Sequence, residues 1–548
     1  MVKLPAVLAL GLSIGQAAAS PCQALPVIDL GYVRQQATTY NSTTDVYTFS
    51  NIRYAAAPEG ELRFRAPQPP PTNRSAIQDG SGFRMCPQGY PNWLVAAFTP
   101  IGEFGSGKVP FSINAWEESF NETVGAIDFN AETSEDCLFL DVYVPGKVLQ
   151  QSKLKSAPVL VYIHGGGFVL GSKLGTSGES LPTGLLAESV KENGSGMIVV
   201  SINYRLGAFG FLSGPEVEAN GVLNAGLLDQ RLALEWIQKN IGLFGGNAKH
   251  VTAIGESGGA TAIMLHMAAY GGKAGSTPFQ QAILQSPAIM PTFSVSSSAY
   301  DEFTSAVNVT CIDDLRKVDS QTLININAKQ VANSPFNSFG YTAVKDGSLV
   351  PGAILQSTPF DKDVKVLVAH NSFEGGIFFD PSVKTEADFA TWLNNSITNL
   401  SPSVTETLTK TIYPPVFDGS YGYTDQDTRQ MALWGEGYTE CNFLLAGQFA
   451  QGHTYAYQFS VVPGAHTQDL GYTFNDPTTP PASLSAQQSL QEAVVSFTIN
   501  GVPTFSSKQA WPIFGTQGAL VNISASAPVI SQSTVNATRC HWWKTQKF

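Results

Sequence analysis

Ser257 lies in Gly255-Glu256-Ser257-Gly258-Gly259, after the apolar run Val251 to Ile254 and before the small and apolar residues Ala260 to Met264. This is the G-x-S-x-G pattern with a strand before it and a helix after it, the context that gives it mechanical meaning. A serine on so sharp a turn adopts a strained backbone conformation, and glycines two residues to either side leave it room. Its hydroxyl then stands at the N-terminus of a helix, whose dipole favours developing negative charge. The chemistry this arrangement suits is nucleophilic attack on a carbonyl carbon.

A nucleophilic serine needs a base, an acid to hold the base, and donors for the oxyanion. His266 is inside the helix that follows the serine and cannot fold back onto it. His466 lies in Pro463-Gly-Ala-His-Thr-Gln-Asp469, directly after a strand expected at Thr454 to Phe459, and is the candidate base. His453 starts that strand and reads as structural, whereas His541, beside Cys540, is expected to pack. Glu374 lies in Asn371-Ser-Phe-Glu-Gly-Gly-Ile377, after a strand expected at Val364 to Ala369, and is the candidate acid. Its competitors are Asp361 and Asp363, which precede that strand, and Asp380, which lies farther along. His164-Gly165-Gly166-Gly167-Phe168 follows another strand end, and bare glycines let amides turn inward. The candidate oxyanion donors are Gly166, Gly167 and Gly258. A phosphate-binding reading of the glycine run fails because no Gly-Lys-Ser/Thr follows.

These groups require a scaffold that delivers them to one edge. Apolar runs at Pro158 to Ile163, Met197 to Asn203, Val251 to Ile254 and Gln281 to Leu284 alternate with helical stretches, including Leu227 to Gly242. Strands without polar alternation, separated by helices, predict a mostly parallel α/β sheet covered on both faces. No linker or repeat divides residues 20–548, which read as one domain. Asp45 to Tyr143 reads as an antiparallel start followed by a long excursion.

Charged residues make up only 14% of the 548-residue chain, and the net charge is −12 without a basic run, which argues against a nucleic-acid partner. Residues 1–19 carry one lysine, an apolar run too short to span a bilayer and a small-residue end, the pattern of a secretory leader. Six cysteines in an exported chain predict disulfides, and none has metal-ligand spacing. Glycosylation sequons occur at Asn41, Asn73, Asn121, Asn193, Asn308, Asn394, Asn399, Asn522 and Asn536. Those that carry glycans must be exposed.

The chain resembles the type-B carboxylesterase/lipase family of the α/β-hydrolases, which includes cholinesterases and secreted fungal lipases. The resemblance runs over almost all of the expected mature chain. It is carried by Asn51-Ile-Arg-Tyr, Ser134-Glu-Asp-Cys, His164 to Phe168, Asn203-Tyr-Arg, Asn224 to Ile237, Phe244-Gly-Gly-Asn247 and the serine turn. It implies an α/β-hydrolase fold, a Ser257–Glu374–His466 triad, oxyanion donors at Gly166, Gly167 and Gly258, no cofactor, and a small-molecule ester as substrate. The family usually has alanine where this chain has Gly258, a swap that keeps the backbone donor. It also implies disulfides Cys86–Cys137 and Cys441–Cys540, with Cys22 and Cys311 a weaker pairing. Glu256 and Asp469 are either a buried acidic pair or solvated carboxylates. Tyr90, Trp93, Leu94, Phe98, Phe104, Phe111 and Trp116, inside the first implied disulfide loop, either wall the entrance as a lipase lid does or pack as an insertion core. The implied reaction is hydrolysis of apolar or aromatic esters through an acyl-enzyme, with possible contact at a lipid interface. Lactone opening or transesterification on the same triad, and a non-catalytic adhesion scaffold, are the alternatives.

Overall fold

The structure is a computed structural model describing residues 25–82, 84–105, 110–120, 133–175, 180–273, 275–288, 297–352, 359–397, 400–448, 454–474, 483–505 and 508–546. The expected leader, Cys22, Asn121, Asn399 and His453 lie outside the described residues.

Eleven strands form one sheet: β1 (Thr39–Asn41), β2 (Val46–Arg53), β3 (Phe139–Pro145), β4 (Ala157–Ile163), β5 (Ile198–Ile202), β6 (Gly246–Glu256), β7 (Gln281–Gln285), β8 (Lys365–Asn371), β9 (Thr454–Phe459), β10 (Ala519–Ile523) and β11 (Val529–Gln532). Their order is β11-β10-β9-β8-β7-β6-β4-β5-β3-β2-β1. Pairing from β5 across to β10 is parallel, and both flanks are antiparallel. β3, β4 and β5 are buried at every position, as expected of strands covered on both faces. The register is what matters for chemistry. Glu256 of β6 pairs with Gln285 of β7, Gln285 with Ala369 of β8, and Ala369 with Tyr457 of β9. The carboxyl ends of four strands therefore finish within two residues of one row, and the loops that follow emerge side by side. In open α/β sheets ligands bind at this edge.

The motifs that carry the family resemblance hold one another. Arg53 donates to both carboxylate oxygens of Asp136 at 2.6 and 2.7 Å, and Arg63 pairs with Glu135 at 2.7 Å. Arg205, just beyond β5, donates through Nε and a terminal nitrogen to Asp229, both bonds 2.7 Å, and its own N–H bonds the same carboxylate. Asp229 belongs to helix α1 (Ala225–Asn240), and both partners of this ion pair are buried. Cys86 bonds Cys137 and Cys441 bonds Cys540, closing separations of 51 and 99 residues. Loop closure of that length stabilises a fold by roughly 4 kcal/mol per bridge. Among the described residues Cys311 has no disulfide partner, and its thiol donates to Asp314.

Two sequence expectations need refinement. His541 does not pack; it is exposed on helix α2 (Ala537–Thr545), while Cys540 and Trp543 face inward. The aromatic excursion is largely packed rather than free: Trp93, Leu94, Phe104 and Trp116 are buried, and only Phe98 stands out. Trp116 stacks on Phe104 and meets Phe111 and Phe373 edge-to-face, and its indole N–H donates to the Gly376 carbonyl at 2.8 Å. The excursion thus braces the loop that carries Glu374.

Breaking a buried ion pair leaves an uncompensated charge. Asp229→Asn should lower stability by about 3 kcal/mol, measured as a large fall in the thermal midpoint. An unchanged midpoint would show that the Arg205–Asp229 pair does not anchor the helix.

Candidate active site

Ser257 follows β6 directly, with φ 53° and ψ −123°, a strained conformation held by its surroundings. Its N–H donates to the Gln285 carbonyl at 3.0 Å. The next helix, α3 (Gly258–Gly272), starts on the following residue; Ala269, Tyr270 and Gly271 depart from helical angles at its far end. The turn closes only without side chains beside the serine. A Cβ on Gly259 would lie 2.2 Å from the Ile163 carbonyl oxygen, and one on Gly255 would lie 2.6 Å from the Gly259 carbonyl carbon.

Parallel neighbours deliver the other two groups. Glu374 opens a short helical turn, Glu374–Ile377, just after β8, and His466 lies in the loop after β9. The two loops are stitched together by the Phe373 N–H, which donates to the Gly464 carbonyl at 2.7 Å. The His466 Nδ1–H donates to Glu374 Oε2 at 2.6 Å, and Nε2 lies 2.9 Å from Ser257 Oγ, placed to accept its proton. All three side chains are buried. The competitors stay elsewhere. Asp361 and Asp363 lie before β8, where Asp361 accepts from Gly275 N–H, and Asp380 accepts from Ser382. His266 is held by Gln230 inside α3.

Several supporting residues were not identified from sequence. The Ser286 hydroxyl and the Asn371 N–H both donate to Glu374 Oε1, at 2.7 and 2.5 Å. The Asn371 amide spans Ser286 Oγ and Asp469. Gln468 Oε1 accepts from the N–H groups of Gly464 and Ala465 and so pins the histidine loop. A signal was present: Ser286 and Asn371 are polar residues at the carboxyl ends of apolar strands, where a covered sheet has no other reason to place them.

The surrounding charges set the poise of Glu374 and His466. Burial would raise the Glu374 carboxyl, but the charge and hydrogen bond of His466, then Ser286 and Asn371, hold it below the ordinary carboxylate value. Burial opposes charge on His466, yet Glu256, then Glu374, and Asp469 more weakly, push it up to about 9. Glu256 and Asp469 are both buried. Glu256 Oε1 lies 3.5 Å from His466 Nε2, whereas Asp469 is held by Tyr457, Gln285 and Asn371. Burial keeps the Asp469 carboxyl above its usual value.

The glycine loop comes up against the start of α3. A Cβ on Gly258 would lie 3.3 Å from the Gly167 nitrogen, so an alanine would have to displace the loop by a few tenths of an ångström. Gly166 and Gly167 have φ of 97° and 60°, open to glycine and rare for other residues. His164 stacks on Tyr204 at 4.3 Å and is neutral, its imidazole lowered by burial to about 4. Beside Gly167 is a cavity of about 860 Å³, walled in part by Phe168, Phe211, Phe339, Trp434 and Tyr438. That volume suits a small-molecule ligand.

A general base works when unprotonated. With His466 raised, kcat/KM for an ester should climb with pH through the histidine's titration. Glu256→Gln removes one anion facing the imidazolium, so the same limb should move to lower pH, by about one unit. A pH–rate profile on the two proteins checks this, and an unmoved limb would contradict the assigned influence of Glu256.

The carboxylesterase family model matches residues 24–543. Carboxylesterase patB of Penicillium expansum is 34% identical over 96% of each chain, and carboxylesterase patB of Aspergillus clavatus is 36% identical over 97% of this chain and 98% of its own. The crystal structure of Aspergillus niger EstA superposes with a TM-score of 0.76 at 25% identity, covering 95% of this chain and 98% of that one. The chain belongs to the carboxylesterase family of α/β-hydrolases and is a carboxylic ester hydrolase.

Proposed function

We propose that this hydrolase is an exported serine esterase that cleaves apolar or aromatic esters through an acyl-enzyme, with Ser257 as nucleophile, His466 as base and Glu374 as acid. The observation that carries the reading is the unbroken line from Ser257 Oγ through the imidazole to Glu374, with bonds of 2.9 and 2.6 Å. As Ser257 Oγ bonds the ester carbon, its proton passes to His466 Nε2. The carbonyl oxygen, now anionic, faces the N–H groups of Gly166, Gly167 and Gly258. Such donors contribute about 3 to 4 kcal/mol each to transition-state stabilisation. The imidazolium returns its proton to the departing alcohol oxygen, leaving an acylated serine. Water, deprotonated by the same histidine, attacks that acyl carbon, and the second collapse frees the acid and restores the serine proton.

Export is supported by the leader-like residues 1–19, by the two disulfides and by sequons placed at the surface. Asn41, Asn73, Asn193, Asn308, Asn394 and Asn536 are exposed, and Asn522 is half-buried in β10. The described helices include none long and apolar enough to cross a membrane.

Ser257→Ala should fold normally, with an unchanged circular dichroism spectrum. It should lose fluorophosphonate labelling and about 10⁴-fold or more of its turnover on p-nitrophenyl esters. Wild-type turnover in that variant would overturn the assignment.

A further inference from the structure

Tyr438 lines the same cavity as Gly167, and the triad does not use it. Tyr438 lies in a π-helical turn, Gly435–Glu440, an irregularity frequent at functional sites. The turn is firmly seated. A Cβ on Gly437 would meet Trp543 at 2.9 Å, and one on Gly435 would meet the Gly375 nitrogen at 3.0 Å. Glu436 accepts from the Tyr413 hydroxyl at 2.8 Å and from Arg539 at 2.7 Å, and the adjacent Cys441 is bonded to Cys540. The ring is seated as well, its centroid 5.1 Å from Phe378 and 5.8 Å from Trp434, and Phe378 lies 5.4 Å from His466. Tyr438 is thus fixed one ring away from the base.

Its oxygen nevertheless has no hydrogen-bond partner among the described residues. Burial, reinforced by the charge of Glu256, keeps the phenol protonated. Tyr438 is half-buried, and a protonated phenol has one proton to give to a ligand beside it. The rest of the cavity points the same way. Phe168, Phe339 and Trp434 supply aromatic wall, while Gln330, Asn333 and Ser334, from the end of one helix and the loop after it, supply polar wall.

We propose that Tyr438 is a specificity-determining residue whose hydroxyl donates a hydrogen bond to an oxygen on the substrate group filling this cavity. The preferred substrates are ring-containing esters that bear a hydroxyl, keto or ether oxygen. The proposal rests on the serine-esterase reading and narrows its substrate class.

The test compares kcat/KM within two matched pairs. The first is the p-nitrophenyl esters of 3-phenylpropionic and 3-(4-hydroxyphenyl)propionic acid, with the added oxygen on the acyl side. The second is phenethyl and 4-hydroxyphenethyl acetate, with it on the alcohol side. The wild-type enzyme should prefer the oxygenated member of at least one pair, and Tyr438→Phe should reduce that preference about tenfold, chiefly through KM. No preference in the wild type in either pair, or a preference that survives in Tyr438→Phe, overturns the proposal. The wild-type comparison decides even if the variant does not fold. Failure of the underlying reading looks different: the wild type would then hydrolyse no ester in either pair and take no fluorophosphonate label.

Discussion

One imidazole has to bridge a serine and a carboxylate that arrive from different strands, and most of the fold serves that span. The ring is rigid, so the atoms at its two nitrogens must be set to within a few tenths of an ångström. Parallel register meets the demand. Glu256, Gln285, Ala369 and Tyr457 share one row of the sheet, so Ser257, Ser286 and the loops carrying Glu374 and His466 leave the same edge within two residues of one another. A one-residue slip would turn every side chain of a strand to the opposite face and separate the three groups. The buried strands and the ion pairs among the motif residues make such a slip costly.

Electrostatics sets the second constraint. Glu256, Glu374 and Asp469 are carboxylic acids in an interior that resists charge. The structure meets this in two ways. Glu374 is wrapped by His466, Ser286 and the Asn371 N–H and remains ionised below its usual value. Asp469 is deeper, among Tyr457, Gln285 and Asn371, and burial drives its carboxyl upward. Asn371 ties these environments together by reaching both Ser286 and Asp469. The result favours the imidazolium, the charge that the proposed serine attack requires on the histidine.

Much of this was legible in the sequence because the relevant physics is local. The serine turn announces itself through glycines that later prove indispensable, since a Cβ on Gly259 would collide with the Ile163 carbonyl. Long apolar runs fixed β4 to β9 to within a few residues, and chain order placed Glu374 and His466. Contacts between distant segments were less legible. The pairing of Arg53 with Asp136 spans 83 residues, and neither residue signals the other. The π-helical turn under Tyr438 was invisible for the same reason: it depends on Trp543, Gly375 and Arg539, all remote in sequence. The aromatic excursion was ambiguous because a lid and a packed insertion share a composition, and contacts such as the edge-to-face meeting of Trp116 and Phe373 distinguish them. His541 was misjudged because its neighbour Cys540 is buried, and a helix turns adjacent residues to different faces.

The central claim is that covalent catalysis passes through one serine. Its most direct test is to quench turnover of a slow ester in acid and map the protein by peptide mass spectrometry. The account predicts the acyl mass on the peptide containing Ser257 and on no other. Continuous turnover with the acyl group on a different residue, or with no adduct at any quench time even when deacylation is slowed, would contradict it.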